Sequence, residues 1–309
     1  MISKQFMPPE VEEAAARVLT GSSGPATFHS ILRLGGGCIH PAAVVSMADG
    51  TRAFLKWSNE PGFGGFGPES RGLQALARHG GVRTPAVLGV GEGKDSSPSW
   101  LLLEFVAEDA EAGRASTRLG RGLARLHRPL PDATPGWDES GMIGSLPQQN
   151  GFPRDTASWP EFWRERRLLP LWRRAGDRFP PTVHRGFDDL VSGIEAGLAG
   201  WEGDGLSVLH GDLWSGNVVW GPGGEPFLVD PAVYRGHREV DLAMMELFGD
   251  FDPVVLASYR EEFPLLPGYA EVRRDIYQLY PLLVHVALFG ESYRRGCEER
   301  IMRVVASLR

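Results

Sequence analysis

The sequence predicts an α+β protein with two lobes, a small antiparallel-sheet N-lobe over residues 1–105 and a larger, mostly helical C-lobe over residues 106–309. Short β-type runs separated by glycine-containing turns cluster in the first part of the chain. In the second part, apolar residues recur at helical spacing, as Leu119, Leu123 and Leu126 do. A chain of 309 residues is long enough for two such lobes around a cleft, and the change of pattern places the hinge near 104–106.

The N-lobe pattern predicts a helix, three strands, a second helix and two further strands. The dipeptide Asp49-Gly50 is a hairpin signal between the second and third strands. Glu69, Leu73 and Leu76 share one face of the second helix, which Gly80-Gly81 ends. We expect the first helix over about 10–19 and the strands over 31–34, 43–47, 53–57, 86–90 and 100–105.

The C-lobe pattern predicts helices and one short hairpin, whose turn is Gly221-Pro222-Gly223-Gly224. Segments 58–68 and 129–153 contain several Gly and Pro residues and are expected to be loops. The arginines between 164 and 174 are interrupted by aromatic and acidic residues, which favours a solvated helix face over a nucleic-acid footprint. An apolar helix face is formed by Phe187, Leu190, Val191, Ile194 and Leu198.

Composition excludes several classes of protein. The formal net charge of −7 and the lack of a basic stripe argue against a nucleic-acid partner. The longest apolar stretch, around 281–289, is far shorter than a membrane span, and the first residues do not resemble a signal peptide. Two cysteines cannot form a disulfide framework, so a reducing, cytoplasmic location is expected.

The strongest functional signal is the run His210-Gly211-Asp212-Leu213-Trp214-Ser215-Gly216-Asn217, followed by Asp230-Pro231-Ala232. Four residues separate Asp212 from Asn217, the spacing of a phosphoryl-transfer catalytic loop, and Asp230 ends an apolar run. Asp212 is predicted to orient an acceptor hydroxyl and finally take its proton, while Asn217 and Asp230 are predicted to offer oxygen ligands to Mg²⁺. The alternative is that all three are turn residues of a surface hairpin.

A nucleotide site is predicted in the N-lobe. Gly35, Gly36 and Gly37, with Cys38, lie between two strands, where backbone amides can approach phosphate oxygens; an ordinary turn would look the same. Lys56 lies inside an apolar strand, where a lysine is costly unless an anion accompanies it. Pairing Lys56 with Glu69 would satisfy both charges and aim the ammonium at the α- and β-phosphates of ATP.

The last N-lobe strand ends at Glu104, Phe105 and Val106, where it meets the helical part of the chain. Backbone groups of Glu104 and Val106 are predicted to hydrogen-bond the adenine edge, independently of side-chain type. This assignment rests on the position of the three residues in the chain.

The motifs resemble those of the fructosamine kinase (ketosamine-3-kinase) family. The resemblance spans roughly residues 34–290, and a wider group that includes aminoglycoside phosphotransferases and choline kinases shares only the bare H-G-D…N…D frame. The segments that carry it are Leu209–Asn217, Asp230–Ala243, Leu34–Ile39 and Ile143–Gly151.

The resemblance implies a protein-kinase-like fold, use of ATP and Mg²⁺, and phosphorylation of the 3-hydroxyl of a ketosamine. A ketosamine is a sugar joined through an Amadori linkage to a small amine or to lysine, free or in a protein. Deglycation would follow because the 3-phosphate is unstable.

The acceptor side is assigned to Trp214, Tyr234 and His285. An indole at position 214 offers a flat wall for a sugar and a π-face for a protonated amine; packing as core is the alternative. His285 lies on an apolar helix, where it could line the acceptor pocket or be a satisfied core histidine. Tyr234 lies in the second half of the signature.

Three further residues receive structural roles. Asp241 is interpreted as the N-cap of a helix, with a brace for the catalytic loop as the other possibility, and His210 and His127 are interpreted as structural. Two other functions compete with a ketosamine kinase. One is another small-molecule kinase of the aminoglycoside or choline type, and the other is a non-catalytic nucleotide-binding scaffold.

Overall fold

The computed structural model describes residues 6–35, 40–60, 63–93, 97–109, 114–151 and 158–309. The chain divides into two compact units. Unit 1 comprises Met1–Arg78, Arg83–Arg114 and Val219–Asp230, and unit 2 comprises His79–Val82, Ala115–Val218 and Pro231–Arg309. The chain therefore passes from one unit to the other on both sides of segment 219–230.

Unit 1 is built on a five-stranded sheet in the order β1-β2-β3-β5-β4, with every neighbouring pair antiparallel. The predicted turn at 49–50 is present, since Met47 donates its amide to the carbonyl of Thr51 at 2.8 Å. A short hairpin, β9–β10, joins the unit through a bridge between Arg83 and Phe227. The elements are α1 Pro9–Thr20, β1 Ser30–Leu34, β2 Ala42–Ser46, β3 Arg52–Ser58, α2 Phe66–His79, β4 Val87–Glu92, β5 Ser99–Glu104, β9 Val218–Trp220 and β10 Pro226–Leu228.

The two faces of the sheet are covered by different helices because side chains alternate along each strand. Leu55 and Trp57 of β3 pack in a cluster with Val11 and Ala15 of α1. The other face carries Phe54 of β3 and a second cluster, in which α2 packs against β5. Lys56 has the same parity as Phe54 and therefore points to the face that α2 covers.

Unit 2 is mostly helical, with α10 packed against α5, α8 and α11, and α3 packed against α9. Two short antiparallel pairs, β6–β7 and β8–β11, complete it. The elements are α3 Ser116–Leu126, β6 Gly141–Ile143, β7 Leu146–Gln148, α4 Trp159–Trp163, α5 Leu169–Ala175, α6 Pro181–Ser192, α7 Ile194–Gly197, β8 Ser207–Leu209, β11 Tyr234–Gly236, α8 Glu239–Phe248, α9 Pro253–Glu262, α10 Arg274–Phe289 and α11 Arg294–Ser307.

Two sequence expectations are wrong in unit 2. The segment 129–153 contains the β6–β7 hairpin and is not loop throughout. The arginine group is not a uniformly solvated face, because Arg167 is fully buried. Arg167 lies in a π-helical turn, Arg164–Leu168, between α4 and α5.

Among the residues that the structure describes, no helix is both long enough and apolar enough to cross a bilayer.

Candidate active site

Lys56 is the cation of a buried charge cluster in unit 1. Its side chain is 7% exposed and meets two carboxylates, with Nζ lying 2.6 Å from Oε1 of Glu69 and 2.7 Å from Oδ1 of Asp230. The Asp230 contact has hydrogen-bond geometry, whereas the Glu69 contact is an ion pair without it. The predicted pairing of Lys56 with Glu69 is confirmed, and Asp230 shares the same ammonium.

The charges of this cluster shift one another's protonation. Burial alone would lower the pKa of Lys56, but the carboxylates of Asp230 and Glu69 raise it well above the usual value, so the lysine stays charged. Burial raises the pKa of Glu69 to about 7, against the opposing effect of the Lys56 ammonium. Desolvation therefore has the largest effect on the pKa of Glu69. The Lys56 ammonium offsets part of the cost of burying this carboxylate.

Asp230 has a left-handed backbone, with φ of 53°. Aspartate tolerates this conformation better than most non-glycine residues, but the geometry is uncommon and tends to occur where function fixes the backbone. Asp230 follows β10 closely, so the hairpin delivers its carboxylate to Lys56.

The glycine-rich segment is described only in part. Gly35 follows β1 and is exposed, while Gly36, Gly37 and Cys38 lie outside the described residues.

The strand end predicted to meet adenine is already hydrogen-bonded at Glu104. Its amide donates to the carbonyl of Ala86 at 2.8 Å, and its side chain accepts from the amide of Ala86 at 3.0 Å. The Glu104 amide is therefore committed to the sheet, and a backbone donor for a base would have to come from Val106. Between them, the ring of Phe105 is covered by the guanidinium of Arg52 at 4.0 Å.

In unit 2, β8 leads directly into the loop that carries Asp212. The carbonyl of the fully buried His210 accepts from the amide of Ala232 at 2.8 Å. Gly211 has φ of 82°, and a Cβ there would lie 2.1 Å from the carbonyl oxygen of Ala232. A glycine is required at 211 because any side chain there would clash with the backbone of Ala232.

Asp212 and Asn217 are brought together. The Nδ2 atom of Asn217 donates to the backbone carbonyl of Asp212 at 2.8 Å and to its Oδ2 at 3.2 Å. Asn217 is 5% exposed, so its orientation is fixed by packing as well as by these bonds. Because both bonds use the amide nitrogen, the carboxamide turns its oxygen, the atom that a hard cation would bind, away from Asp212.

Asp241 anchors the backbone of the loop that carries Asp212. Its carboxylate accepts from the amide of His210 at 2.7 Å and from that of Gly211 at 2.9 Å. Nε2 of His127 lies 3.1 Å from the same carboxylate, and Nδ1 of that ring lies 3.0 Å from the hydroxyl of Tyr259. Burial would raise the pKa of Asp241, but these partners, His127 foremost, lower it, so the brace stays ionised.

The N-cap interpretation of Asp241 is wrong, and the brace interpretation is confirmed. Helix α8 begins at Glu239 with Arg238 as its N-cap, which places Asp241 inside the first turn. The structural role expected of His127 and His210 is confirmed, since both are buried and the amide of Asp212 donates to Nδ1 of His210.

A buried ionic network fixes the start of α8. Arg238 donates to Asp204, and Arg273 donates to Glu239 from two nitrogens at 2.7 and 2.8 Å. Side chains of Asp204, His237 and Glu239 come close enough for a metal site. The two guanidinium groups already neutralise the carboxylates, so we interpret the cluster as structural.

Trp214 is half-buried and folds back over its own loop. A Cβ added to Gly216 would lie 2.2 Å from Cη2 of the Trp214 indole. The absence of a side chain at 216 is therefore what lets the indole lie against the loop between Asp212 and Asn217.

The prediction that Tyr234 contacts the acceptor is wrong for this structure. The residue is 0% exposed, and its ring lies 4.0 Å below the guanidinium carbon of Arg167 and packs near Phe162. Tyr234 is therefore a core residue beneath Gly211, which it approaches closely. The alternation of β11, which turns Arg235 outward and Tyr234 inward, decides this.

His285 lies in an aromatic cluster with Phe248, Phe289 and Tyr293, at centroid distances of 4.9, 5.4 and 4.6 Å. Its Nδ1 donates to the carbonyl of Pro281 at 2.7 Å. Burial lowers the pKa of His285, which favours the neutral ring. Among the described contacts its partners are outside the catalytic loop, so an acceptor role for His285 stays a prediction.

Sequence reasoning missed two buried residues near the catalytic loop, Arg167 and Gln148. Arg167 was grouped with exposed arginines, although the aromatic residues around it in sequence were a signal for cation–π packing. Gln148 belongs to the segment Ile143–Gly151, which carries the family resemblance without an assigned role for this side chain. Gln148 ends a three-residue strand, opposite Gly141, and a strand this short gives no pattern that periodicity could detect.

Comparison with known proteins finds relatives that match nearly the whole chain. The family model described as fructosamine kinase matches residues 11–307. A Synechocystis protein named as a ketoamine kinase is 36% identical over 275 residues, covering 86% of this chain and 87% of its own. A protein-ribulosamine 3-kinase of Oryza sativa is 35% identical over 277 residues, covering 88% of this chain and 78% of its own.

A solved structure leads to the same group. The crystal structure of a Thermobifida fusca protein, titled as a fructosamine-3-kinase, superposes with a TM-score of 0.80 at 34% identity, covering 96% of this chain and 99% of that one. The α+β fold is therefore that of a kinase, and the signature segments around Asp212 and Asp230 lie inside the matched region. On the extent of these matches, the chain belongs to the fructosamine kinase family.

Proposed function

We propose that this protein is an ATP-dependent kinase that phosphorylates the 3-hydroxyl of ketosamines, the sugar adducts of amines or of lysine. The observation that carries the proposal is the Asp212–Asn217 pair, anchored through the backbone to Asp241. A carboxylate held this way is suited to aim an alcohol rather than to move freely in solvent. The names of the relatives supply the substrate class.

At phosphorus the reaction makes one bond and breaks one, and one proton changes its oxygen. The acceptor oxygen forms a bond to the γ-phosphorus of ATP, the bond from that phosphorus to the ADP oxygen breaks, and the hydroxyl proton passes to Asp212. An ordinary Asp has a pKa of about 3.9, so Asp212 acts mainly by orientation and takes the proton late. A phosphate on the carbon next to the ketone is a good leaving group, which supports deglycation as the outcome.

Unit 1 is proposed as the nucleotide-binding lobe and unit 2 as the lobe that carries the catalytic loop. Lys56, held by Glu69, would bind the α- and β-phosphates, and the segment from Gly35 to Cys38 would cover them. Glu104, Phe105 and Val106 would border the base, with Val106 as the backbone donor. The cytoplasmic location expected from the two cysteines stays a prediction.

Mg²⁺ fits the residues proposed for it. Asn217 and Asp230 would each offer an oxygen, and the ion pair of the Asp230 carboxylate with the Lys56 ammonium at 2.7 Å supports a cation-binding role for Asp230. When bound, Mg²⁺ would neutralise charge on the transferring phosphate. Removal of divalent cations with a chelator should abolish turnover, and added Mg²⁺ should restore it.

The proposal is tested by coupled-assay turnover with four acceptors. We expect ATP consumption with fructosyl-lysine and ribulosyl-lysine, and background rates with kanamycin and choline. Phosphorylation of kanamycin or choline instead would support the other kinase classes, and ATP binding without turnover of any acceptor would support a scaffold. Phosphorus NMR of the product places the phosphate on the sugar.

The catalytic carboxylate is tested with a matched pair of variants. Asp212→Asn should lower kcat by on the order of 10²- to 10⁴-fold, because it removes the group that orients and deprotonates the acceptor. Asp188→Asn, on the exposed face of α6, makes the same chemical change away from the site and should keep wild-type kcat. Equal rates for Asp212→Asn and the wild type would contradict the proposal.

A further inference from the structure

Unit 2 contains a cavity of about 160 Å³ between the β6–β7 hairpin, α5 and α10. Its apolar wall includes Leu146 and Leu171, and its polar wall includes Gln148 and Tyr280. Arg166 and Arg174 also line it. This cavity combines apolar side chains with a few polar and cationic residues, which suits a small ligand that carries polar groups.

Gln148 gives the cavity an unmet hydrogen-bond acceptor. The residue is 2% exposed, and its Nε2 donates to the hydroxyl of Tyr280 at 3.0 Å. Its Oε1 is buried and has no hydrogen-bond partner among the described residues. A buried acceptor without a donor is costly, so an N–H or O–H group placed in the cavity would be stabilised there.

The charge of the cavity wall is positive. Arg166 is oriented by its own bonds, since its Nε donates to the carbonyl of Gly151 at 2.8 Å. Arg174 is exposed and lies one turn of α5 beyond Pro170, which also lines the cavity. The wall residues include two arginines and no carboxylate, so the favoured ligand group on this side is an anion.

The charge of Asp212 affects Tyr280, a residue of the cavity wall. Burial raises the pKa of Tyr280, and the negative charge of Asp212 raises it further, while Arg167 and Gln148 oppose the shift. Packed side chains also connect the two places. The guanidinium carbon of Arg167 lies 5.5 Å from the centre of the Tyr280 ring and 4.0 Å from that of Tyr234, and the Tyr234 ring approaches Gly211, the residue before Asp212.

We propose that this cavity binds the amine-side substituent of the ketosamine and that it favours adducts of free amino acids. The secondary ammonium of such an adduct donates to Oε1 of Gln148, and its carboxylate pairs with Arg174 and Arg166. The inference rests on the proposed function, since the sugar hydroxyl is then the group at Asp212. It narrows the substrate class to ketosamines that carry a carboxylate near the amine.

The test compares two adducts that differ only in charge, fructosyl-glycine and fructosyl-glycinamide. In the wild type we expect a lower KM for the glycine adduct and a similar kcat for both. Arg174→Gln should raise KM for fructosyl-glycine by about 10-fold, because an Arg–carboxylate pair is lost, and leave that for the glycinamide adduct unchanged. The matched control Arg173→Gln removes an exposed arginine that does not line the cavity and should leave both values unchanged.

A second variant tests the buried acceptor. Gln148→Leu should raise KM for both adducts, since both carry the secondary ammonium, with little change in kcat. A purely structural role for Gln148 would instead lower the melting temperature and kcat together, without separating KM from kcat.

Direct binding separates this inference from the proposed function. Calorimetric titration of fructosyl-glycine measures Kd without turnover, and we expect Arg174→Gln to weaken binding about 10-fold. Turnover of both adducts with equal KM in the wild type and in Arg174→Gln would overturn the cavity assignment and leave the kinase proposal intact. Arginine-dependent binding without phosphorylation would overturn the kinase proposal alone, and no binding by either protein would overturn the inference.

Discussion

At the scale of single residues, the best-supported feature is the anchoring of the catalytic loop by Asp241. One carboxylate accepts from two consecutive backbone amides and is itself oriented by a buried histidine. Hydrogen bonds to a charged group contribute about 1.5–3 kcal/mol each, so the loop is held firmly. Asp241 acts through the loop and is a positioning residue.

Asp241→Asn should lower kcat by roughly 10- to 100-fold, because the neutral amide accepts more weakly and presents a donor to the amides of the loop. KM for ATP should change little, because Lys56 and Glu69 lie in the other unit. The measurement is steady-state kinetics beside the free energy of unfolding from urea titration.

The control for this variant is Asp252→Asn at the exposed N-cap of α9. Asp252 accepts from the amide of Val254 at 2.9 Å and from Ser116, so its loss should cost about 1 kcal/mol of stability without lowering kcat. If both variants lose stability and neither loses kcat, the positioning role of Asp241 is wrong.

At the residue scale, prediction from the sequence succeeded where a buried charged side chain requires a partner of opposite charge. Lys56 in an apolar strand requires an anion, and Glu69 on a leucine face requires a cation, so their pairing follows from the sequence. It failed for Tyr234, whose position depends on tertiary packing. A three-residue strand does not fix which way a side chain points.

At the scale of elements, helical spacing would have placed Arg167 correctly. It lies four residues after Trp163 and four before Leu171, and all three are buried. The charged residues around Arg167 hid this face, and the stretch includes a π-helical turn that closes its hydrogen bond from Leu169 to Arg164. The β6–β7 hairpin was missed because each strand has only three residues and shows no period.

The loop from Asp212 to Asn217 offers an element-scale prediction. Gly216→Ala should displace the Trp214 indole, since the new Cβ would lie 2.2 Å from that ring. We expect a higher KM for the ketosamine and an unchanged KM for ATP, because the indole is proposed to form a wall of the acceptor site. Trp214→Ala should show the same separation of the two KM values.

The matched control is Gly24→Ala, where an added Cβ meets only the hydroxyl oxygen of Ser22 at 3.6 Å. Its kinetics should equal those of the wild type. A Gly216→Ala enzyme with an unchanged acceptor KM would show that the indole packs against its loop without touching the substrate.

At the scale of the whole molecule, the sequence was sufficient for the fold class and for most elements of unit 1. Strand alternation, the turn at 49–50 and the glycines after α2 are local signals, and the structure has each feature where they predict it. The assignment of segment 219–230 to unit 1 was beyond the sequence. That assignment depends on contacts such as the bridge between Arg83 and Phe227, which are far apart along the chain.

The core of unit 2 can be tested through its cysteine. Cys297 on α11 is fully buried, and burial raises its pKa to about 12. At pH 8 the thiolate fraction is then on the order of 10⁻⁴, and the thiolate is the reactive form. In a Cys38→Ala variant, where Cys297 is the remaining thiol, iodoacetamide should label the native protein very slowly.

The same variant unfolded in urea supplies the comparison. There the thiol has its ordinary pKa of about 8.5, so labelling, followed by mass spectrometry, should be faster by orders of magnitude. Equal labelling rates in the two states would mean that α11 does not bury Cys297.

The closed contact between Lys56 and Glu69 has one more consequence. In kinases that are switched on and off, control is exerted by forming or breaking this ion pair. Here the pair forms within unit 1 itself, and residues 231–238, which connect Asp230 to α8, are too few to hold a regulatory segment. We therefore expect the Lys56–Glu69 pair to need no activating switch, so that the amount of the protein and the supply of adducts limit turnover.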